Sequence, residues 1–419
     1  MIYQFLRWYA RYGIKFFYKN VFIFRETKID NNTPAIFSSN HPAGFYEAII
    51  LTTIFKKPIY FLVRSDYVNI PIFKWFFSII RLLPIYRQSE GLNNVKKNNE
   101  VFSEINNSLK KNAFIGIYPE GTSKYQFKLN PLKKGIARIA TGALNAGIKL
   151  LKIIPVSFNF SQPDKFRSFL CIYLGEELNL NPAMLQDKKD NVFIKELSSN
   201  INERMNQVNI NISDIDKQNI FSKLQIILIN NELNHKKINA YEENSVLPKQ
   251  IKAYSQLIEE MNDSQFSKLQ KDVLSYFNIL NKEKTNDLSV IQNNINIFNA
   301  ISLVLGFPLF IIGIMLNILP ILPAIFIVKK YTKVYEYKAV LKVLISQFIY
   351  AIYFIIILIF GIIYFKFAGL VFILLPVMAW YSLKYYDMMT DYINSYRYNK
   401  SDKKDQMLQT RNQIIELIS

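Results

Sequence analysis

Between about residues 33 and 176, short apolar runs alternate with stretches whose apolar residues recur every three or four positions. PAIFSS, PIYFLVR, AFIGIYP, LKIIPVSFN and FLCIYLG are rich in Ile, Phe, Val and Tyr and bounded by turn residues, which predicts strands. EAIILTTIF, IPIFKWFFSIIRLL, VKKNNEVFSEINNSLKK and KKGIARIATGALNAG lie between them with helical spacing. Strands alternating with helices predict an α/β domain, its mostly parallel sheet flanked by helices and its functional residues at strand ends.

Outside this block the pattern changes. Residues from about 185 to 295 are polar and helically spaced, with no glycine between Gly175 and Gly306, which predicts a helical insert. From Ile297 to Val328 no charged residue occurs over 32 positions, more than the roughly 20 that a spanning helix needs. Pro308, Pro320 and Pro323 interrupt the run, so it reads as a kinked span or a re-entrant hairpin. Two more apolar runs cover about 343–365 and 367–383, with Lys329, Lys330, Lys333 and Lys338 before the pair and Lys384, Arg397, Lys400, Lys403 and Lys404 after it. Basic flanks at both ends place both ends in the cytoplasm, with the KFAG turn within or beyond the far leaflet.

At the N-terminus Arg7, Arg11, Lys15 and Lys19 recur every fourth position among Phe5, Leu6, Trp8, Tyr9, Tyr12, Phe16 and Phe17. That pattern suits an amphipathic helix in an anionic membrane interface, or one packed on the core. The expected division is an interfacial helix over 1–25, the α/β domain over 26–184 and the helical insert over 185–295. Transmembrane or re-entrant helices over 296–390 and a basic cytoplasmic tail over 391–419 complete it.

Charge narrows the partner. Among 419 residues, 51 Lys and Arg stand against 32 Asp and Glu, a net charge of +19, so the partner is anionic. With 33 Phe, 26 Tyr and basic residues that flank apolar runs, that partner is a membrane and not nucleic acid. The single cysteine, Cys171, lies in the apolar run SFLCIYL and cannot form an internal disulfide, which fits a reducing, cytoplasmic side. No secretory signal is visible in the first twenty residues. The two histidines, His41 and His235, have no zinc-like ligand spacing with Cys171, so no metal or cofactor is expected. His235 falls on a charged surface of the insert.

His41 is different. It stands in SSNHPAGFYEA, just past the strand PAIF, where Pro42 and Gly44 shape a strand-to-helix turn and Glu47 falls in the first turns of the next helix. A histidine near a carboxylate is fixed in one tautomer and can remove a proton from a hydroxyl, although a structural histidine fits the same pattern. In GIYPEGTSKYQFKLNPLKKG, the turn at Pro119, Glu120, Gly121 and Thr122 is followed by Lys124, Lys128, Lys133 and Lys134, amides and cations able to hold a phosphate. In LLPIYRQSEG, Arg87 emerges past an apolar segment as a phosphate fork. Each lysine taken singly reads as a solvated surface charge.

Together, N-H-P-A-G-F-Y-E, L-P-I-Y-R, Y-P-E-G-T-S and I-I-P-V-S-F-N resemble the four ordered motif blocks of the glycerolipid acyltransferase superfamily, which includes glycerol-3-phosphate and lysophosphatidic acid acyltransferases. The resemblance covers about residues 33–160. It implies His41 as general base, Glu47 as its carboxylate partner, and Arg87, Glu120 and Gly121, with Thr122 and Lys134 beside them, as the acceptor site. Pro155 is implied to shape the acyl side. Tyr46 stands where the usual first block has Asp, and the acid comes one residue later as Glu47. Five intervening residues, as in H-P-N-S-F-L-D, resemble a branch with C-terminal membrane segments that includes fungal glycerol-3-phosphate acyltransferases. The resemblance implies acyl transfer from acyl-CoA or acyl-carrier protein to glycerol-3-phosphate or 1-acylglycerol-3-phosphate, at a membrane. Another lysolipid, dihydroxyacetone phosphate or an amino-acid lipid as acceptor, or a non-catalytic membrane-organising homologue, are the alternatives.

Overall fold

The computed structural model describes residues 1–65, 78–86, 98–186, 188–235, 240–292 and 294–418. Their nine strands are β1 (Asn20–Arg25), β2 (Ala35–Ser39), β3 (Ile59–Arg64), β4 (Leu82–Ile85), β5 (Phe114–Ile117), β6 (Leu151–Phe160), β7 (Phe169–Leu174), β8 (Leu178–Leu180) and β9 (Tyr241–Glu243). They form one sheet in the order β4-β3-β5-β2-β6-β7-β1-β9, with β8 beside β6. The pairings are parallel except those of β6 with β7 and with β8. The expected α/β architecture is present.

The sheet is covered on both faces, as the near-continuous apolar strands require. Side chains alternate: Ala35 and Phe37 enter one core and Ile36 the other. The first core includes α1 (Ile2–Phe17) and α2 (Tyr46–Ile54). The second is closed by α3 (Asn98–Lys110), α4 (Gly135–Asn145) and α5 (Asp190–Val208).

The helical insert belongs to the domain more closely than an appendage. It comprises α6 (Ile215–His235), α7 (Leu247–Glu260), α8 (Asp263–Lys282) and α9 (Asp287–Ile291). Its own strand β9 pairs with β1, and its core takes in Phe22 of β1 and Cys171 of β7.

Beyond it run α10 (Ile297–Ile318), α11 (Ile321–Tyr331), α12 (Tyr335–Phe365), a 3-10 segment over Lys366–Leu374, α13 (Leu375–Lys400) and α14 (Lys404–Ile418). Ile297–Ile318, Tyr335–Phe365 and Gly369–Lys400 are each long and apolar enough to cross a membrane. The 297–328 run is a hairpin. The chain enters α10 next to Ser395, whose Oγ accepts from the Asn294 N–H at 3.4 Å. It turns at Pro320 and returns through α11 to Tyr335, whose hydroxyl donates to Asp164 at 3.0 Å. Near the turn, Asn317 accepts from the Tyr350 hydroxyl and Leu316 O from Tyr353, each at 2.7 Å. Those bonds satisfy polar groups that hydrocarbon would leave orphaned.

Both ends of the chain pack on distant parts of the molecule. The cations of α1 turn inward: Arg7 donates to Phe55 O at 2.9 Å and Arg11 to Thr53 O at 3.3 Å, at the C-terminal end of α2, where unpaired carbonyls attract positive charge. The large apolar side chains that α1 exposes are Ile2, Phe5 and Trp8. The expected basic tail ends in α14, which buries Met407, Arg411, Ile414 and Ile418 in the insert. Amphipathic spacing cannot say which neighbour a face meets.

Candidate active site

β2 and β5 are adjacent and parallel, so the turns after their last residues open on the same edge of the sheet. His41 follows β2 and Glu120 follows β5. Asn40 anchors the first turn, its carboxamide accepting from Phe158 N–H at 2.8 Å and donating to Phe158 O at 3.0 Å on β6. Gly44, at φ +70°, lets the chain reverse into α2.

α2 carries Glu47 in its first turn, where the helix dipole favours a carboxylate. Glu47 Oε1 accepts from the Ala43 N–H, and Oε2 stands 3.4 Å from His41 Nδ1. The Glu47 side chain is 0% exposed and that of His41 18%, so the carboxylate is sheltered while the imidazole reaches the surface. Nδ1 toward a carboxylate leaves Nε2 to face a substrate proton. The added methylene of Glu47 therefore spans the longer spacing, and Tyr46, in the place of the usual Asp, is wholly buried in the core.

The second turn braces the first. Glu120 Oε1 accepts from the His41 N–H at 3.0 Å, and Oε2 accepts from the backbone N–H of Asn130, also at 3.0 Å. Both oxygens thus hold loops together. Burial pushes the Glu120 carboxyl up from its ordinary range, against the lowering effect of those donors. Ser123 Oγ donates to His41 O at 2.8 Å and accepts from Gly44 N–H at 2.9 Å. The His41 imidazole stacks on Tyr118, centroids 4.3 Å apart.

The other expected residues are placed less uniformly. Gly121 is at φ +66° and its N–H donates to Tyr118 O at 3.0 Å, so this amide closes the turn. Thr122 and Lys134 are exposed, Lys134 as the N-cap of α4. Lys133 is the lysine whose side chain lies over the Gly121 backbone. Arg87 lies outside the described residues. Pro155 is buried in β6 opposite Ser38 of β2. Tyr118, Ser123 and Asn130 escaped the sequence reading as parts of the site. Tyr118 directly precedes the Pro119–Gly121 turn, the one local signal that could have singled it out.

A cavity of about 840 Å³ lies away from this chemistry, lined by Lys57, Tyr60, Arg81 and Lys111 at the opposite edge of the sheet. Among the described residues no group of three or more His, Cys, Asp or Glu could hold a metal ion.

Residues 20–159 match the family model described as Acyltransferase. Glycerol-3-phosphate O-acyltransferase 1 of Saccharomyces cerevisiae is 27% identical over 222 residues, covering 49% of this chain and 27% of the yeast protein. The chloroplastic 1-acyl-sn-glycerol-3-phosphate acyltransferase of Arabidopsis thaliana is 29% identical over 154 residues, covering 35% of this chain and 41% of that protein. These matches span less than half the length of either relative. A crystal structure of a 1-acyl-sn-glycerophosphate acyltransferase from Thermotoga maritima overlaps 47% of this chain and 78% of its own, at 15% identity and a TM-score of 0.33, too little to fix the fold, which follows from the strand order above. The four motif blocks fall inside the matched region, and residues 20–159 are an acyltransferase-family domain, homologous to glycerol-3-phosphate and 1-acylglycerol-3-phosphate acyltransferases.

Proposed function

We propose that the protein is a membrane-bound O-acyltransferase that moves a fatty acyl group from a thioester, acyl-CoA or acyl-carrier protein, to the hydroxyl of glycerol-3-phosphate or 1-acylglycerol-3-phosphate. The observation that carries this reading is the buried Glu47 carboxylate 3.4 Å from Nδ1 of a partly exposed His41. In this reading Nε2 takes the proton of the acceptor hydroxyl as its oxygen attacks the thioester carbonyl. The C–O bond forms, the tetrahedral intermediate collapses with loss of the C–S bond, and the proton held on His41 passes to the departing thiolate. Glu47 stabilises the imidazolium between the two transfers. Arg87 is the proposed phosphate contact, with Lys133, Lys134 and Thr122 around the glycine turn. The net charge of +19 and the apolar C-terminal helices support a catalytic domain held at the cytoplasmic face of a membrane.

The test offers a labelled acyl thioester to glycerol-3-phosphate and to lysophosphatidate, using membranes that contain the protein or its His41→Ala variant. Transfer to one acceptor, reduced about 100-fold to 10,000-fold by the substitution, is the expected result. Equal transfer by both proteins would remove the general-base role. Absence of transfer to any acceptor would favour a non-catalytic, membrane-organising role.

A further inference from the structure

α12 is one continuous helix of 31 residues, about 46 Å long, and its two ends have different surroundings. Its C-terminal half exposes Ile352, Ile355, Ile356, Ile359, Phe360 and Ile363, as a lipid-facing helix would. Its N-terminal turns enter the core of the acyltransferase domain, where Ala339, Val340 and Val343 share a cluster with Ala43 and Tyr46.

That end meets both loops of the candidate site. Glu336 Oε1 accepts from the Tyr125 N–H at 3.0 Å, two residues past Ser123, which itself holds the His41 carbonyl. The Tyr337 ring lies under Gly44, where an added Cβ would come within 2.6 Å of Tyr337 Cδ1. Phe45 packs beside the same ring, with centroids 6.2 Å apart. Tyr335 and Lys342 tie the same turns to Asp164, at 3.0 Å and 2.8 Å. The turn between His41 and Glu47 thus has the sheet on one side and the base of a membrane helix on the other.

We propose that Glu336 and Tyr337 are positioning residues for the reaction: they seat the turn that sets the distance from His41 to Glu47, so the lipid-facing helix holds the catalytic geometry. This inference rests on the acyltransferase reading. A displacement of about 1 Å in such a turn is enough to lower the rate substantially while substrate contacts elsewhere persist.

The test uses the full chain in membranes. Tyr337→Ala and Glu336→Ala are each expected to lower kcat about tenfold or more, with KM for donor and acceptor unchanged within about twofold. Tyr337→Phe keeps the ring edge under Gly44 and retains kcat within about twofold of the parent. A second readout needs no activity: carbethoxylation of His41, followed on its peptide, becomes faster in Tyr337→Ala while that of His235 is unchanged. Parental kcat and parental His41 modification rates in both alanine variants would overturn the proposal, as would a loss confined to KM. If the parent protein transfers no acyl group, the acyltransferase reading fails, and the His41 modification rates still decide whether α12 seats the turn.

Discussion

The imidazole of His41 lies on the ring of Tyr118, centroids 4.3 Å apart and planes 16° from parallel. The Tyr118 hydroxyl is buried and finds no hydrogen-bond partner among the described residues. The ring therefore supplies the contact of Tyr118 with His41. Tyr118→Phe should keep full activity and equal or better stability, because an unsatisfied buried hydroxyl costs about 1–3 kcal/mol. Tyr118→Ala should lower kcat, since losing such a pair is worth about 0.5–1.5 kcal/mol beyond the lost burial. Steady-state kinetics and thermal melts of the two variants check this.

Glu47 has two duties: Oε1 accepts from the Ala43 N–H, and Oε2 stands at ion-pair distance, 3.4 Å, from His41 Nδ1, Oε2 and Nδ1 both being without a hydrogen bond among the described residues. Glu47→Gln keeps one acceptor but loses the charge that steadies the imidazolium, so kcat should fall with little change in melting temperature. Glu47→Ala should lose both, the orphaned Ala43 N–H adding about 1–3 kcal/mol of destabilisation. Comparing kcat with stability across the pair separates the duties.

For Glu120 the pH dependence has a definite sign. Burial raises its folded-state pKa, so the folded protein holds that proton more tightly than the unfolded chain does. The contribution to stability is full below the unfolded value, about 4.3, and is lost as pH rises through the raised folded value. Glu120→Gln has no such proton. Its melting temperature relative to the parent should therefore be lower at acid pH and recover as pH rises; a difference that stays constant with pH would contradict this.

α14 closes the insert through a buried ion pair, Arg411 Nε donating to Asp287 Oδ1 at 2.9 Å. Tyr276 donates to the same oxygen at 2.6 Å and Asn230 to the other at 3.0 Å. Removing one partner leaves an uncompensated buried charge, so Arg411→Ala should destabilise the protein by about 3–5 kcal/mol, read by denaturant unfolding. A chain cut before Lys404 should lose the insert's fold in the same measurement.

The hairpin at Pro320 predicts a topology. Its turn lies near Tyr350 and Tyr353, whereas α12 runs about 22 Å beyond Tyr350 to Phe365. A Leu319→Cys variant should resist a membrane-impermeant maleimide from both faces of sealed vesicles. Cys171 is buried and its thiol is pushed far up by desolvation, so it should not label in the folded protein. Labelling of Leu319→Cys from the face opposite the catalytic domain would make this run a crossing helix instead.

The alternation of strand and helix, the apolar C-terminal runs and the two site turns were legible in the sequence because each is local. A strand's pattern repeats every two residues, a helix's every 3.6, and a motif such as His41 to Glu47 lies within one turn and the start of one helix. Glu120 was legible as part of the site but its duty was not: its bonds to His41 and Asn130 depend on β5 lying beside β2. Tyr118 needed the same adjacency.

What the sequence determined by itself was the α/β class, the segments apolar enough for a membrane and the placing of a histidine, His41, and a carboxylate, Glu47, on one turn and the start of the helix after it. Only the tertiary structure decided that the cations of α1 cap α2, that β9 and α14 complete units begun far away in the chain, and that the base of α12 sits under Gly44. The reason is physical. Periodicity states which face of an element avoids water, but many partners can cover that face, and the choice among them comes from packing between residues hundreds of positions apart.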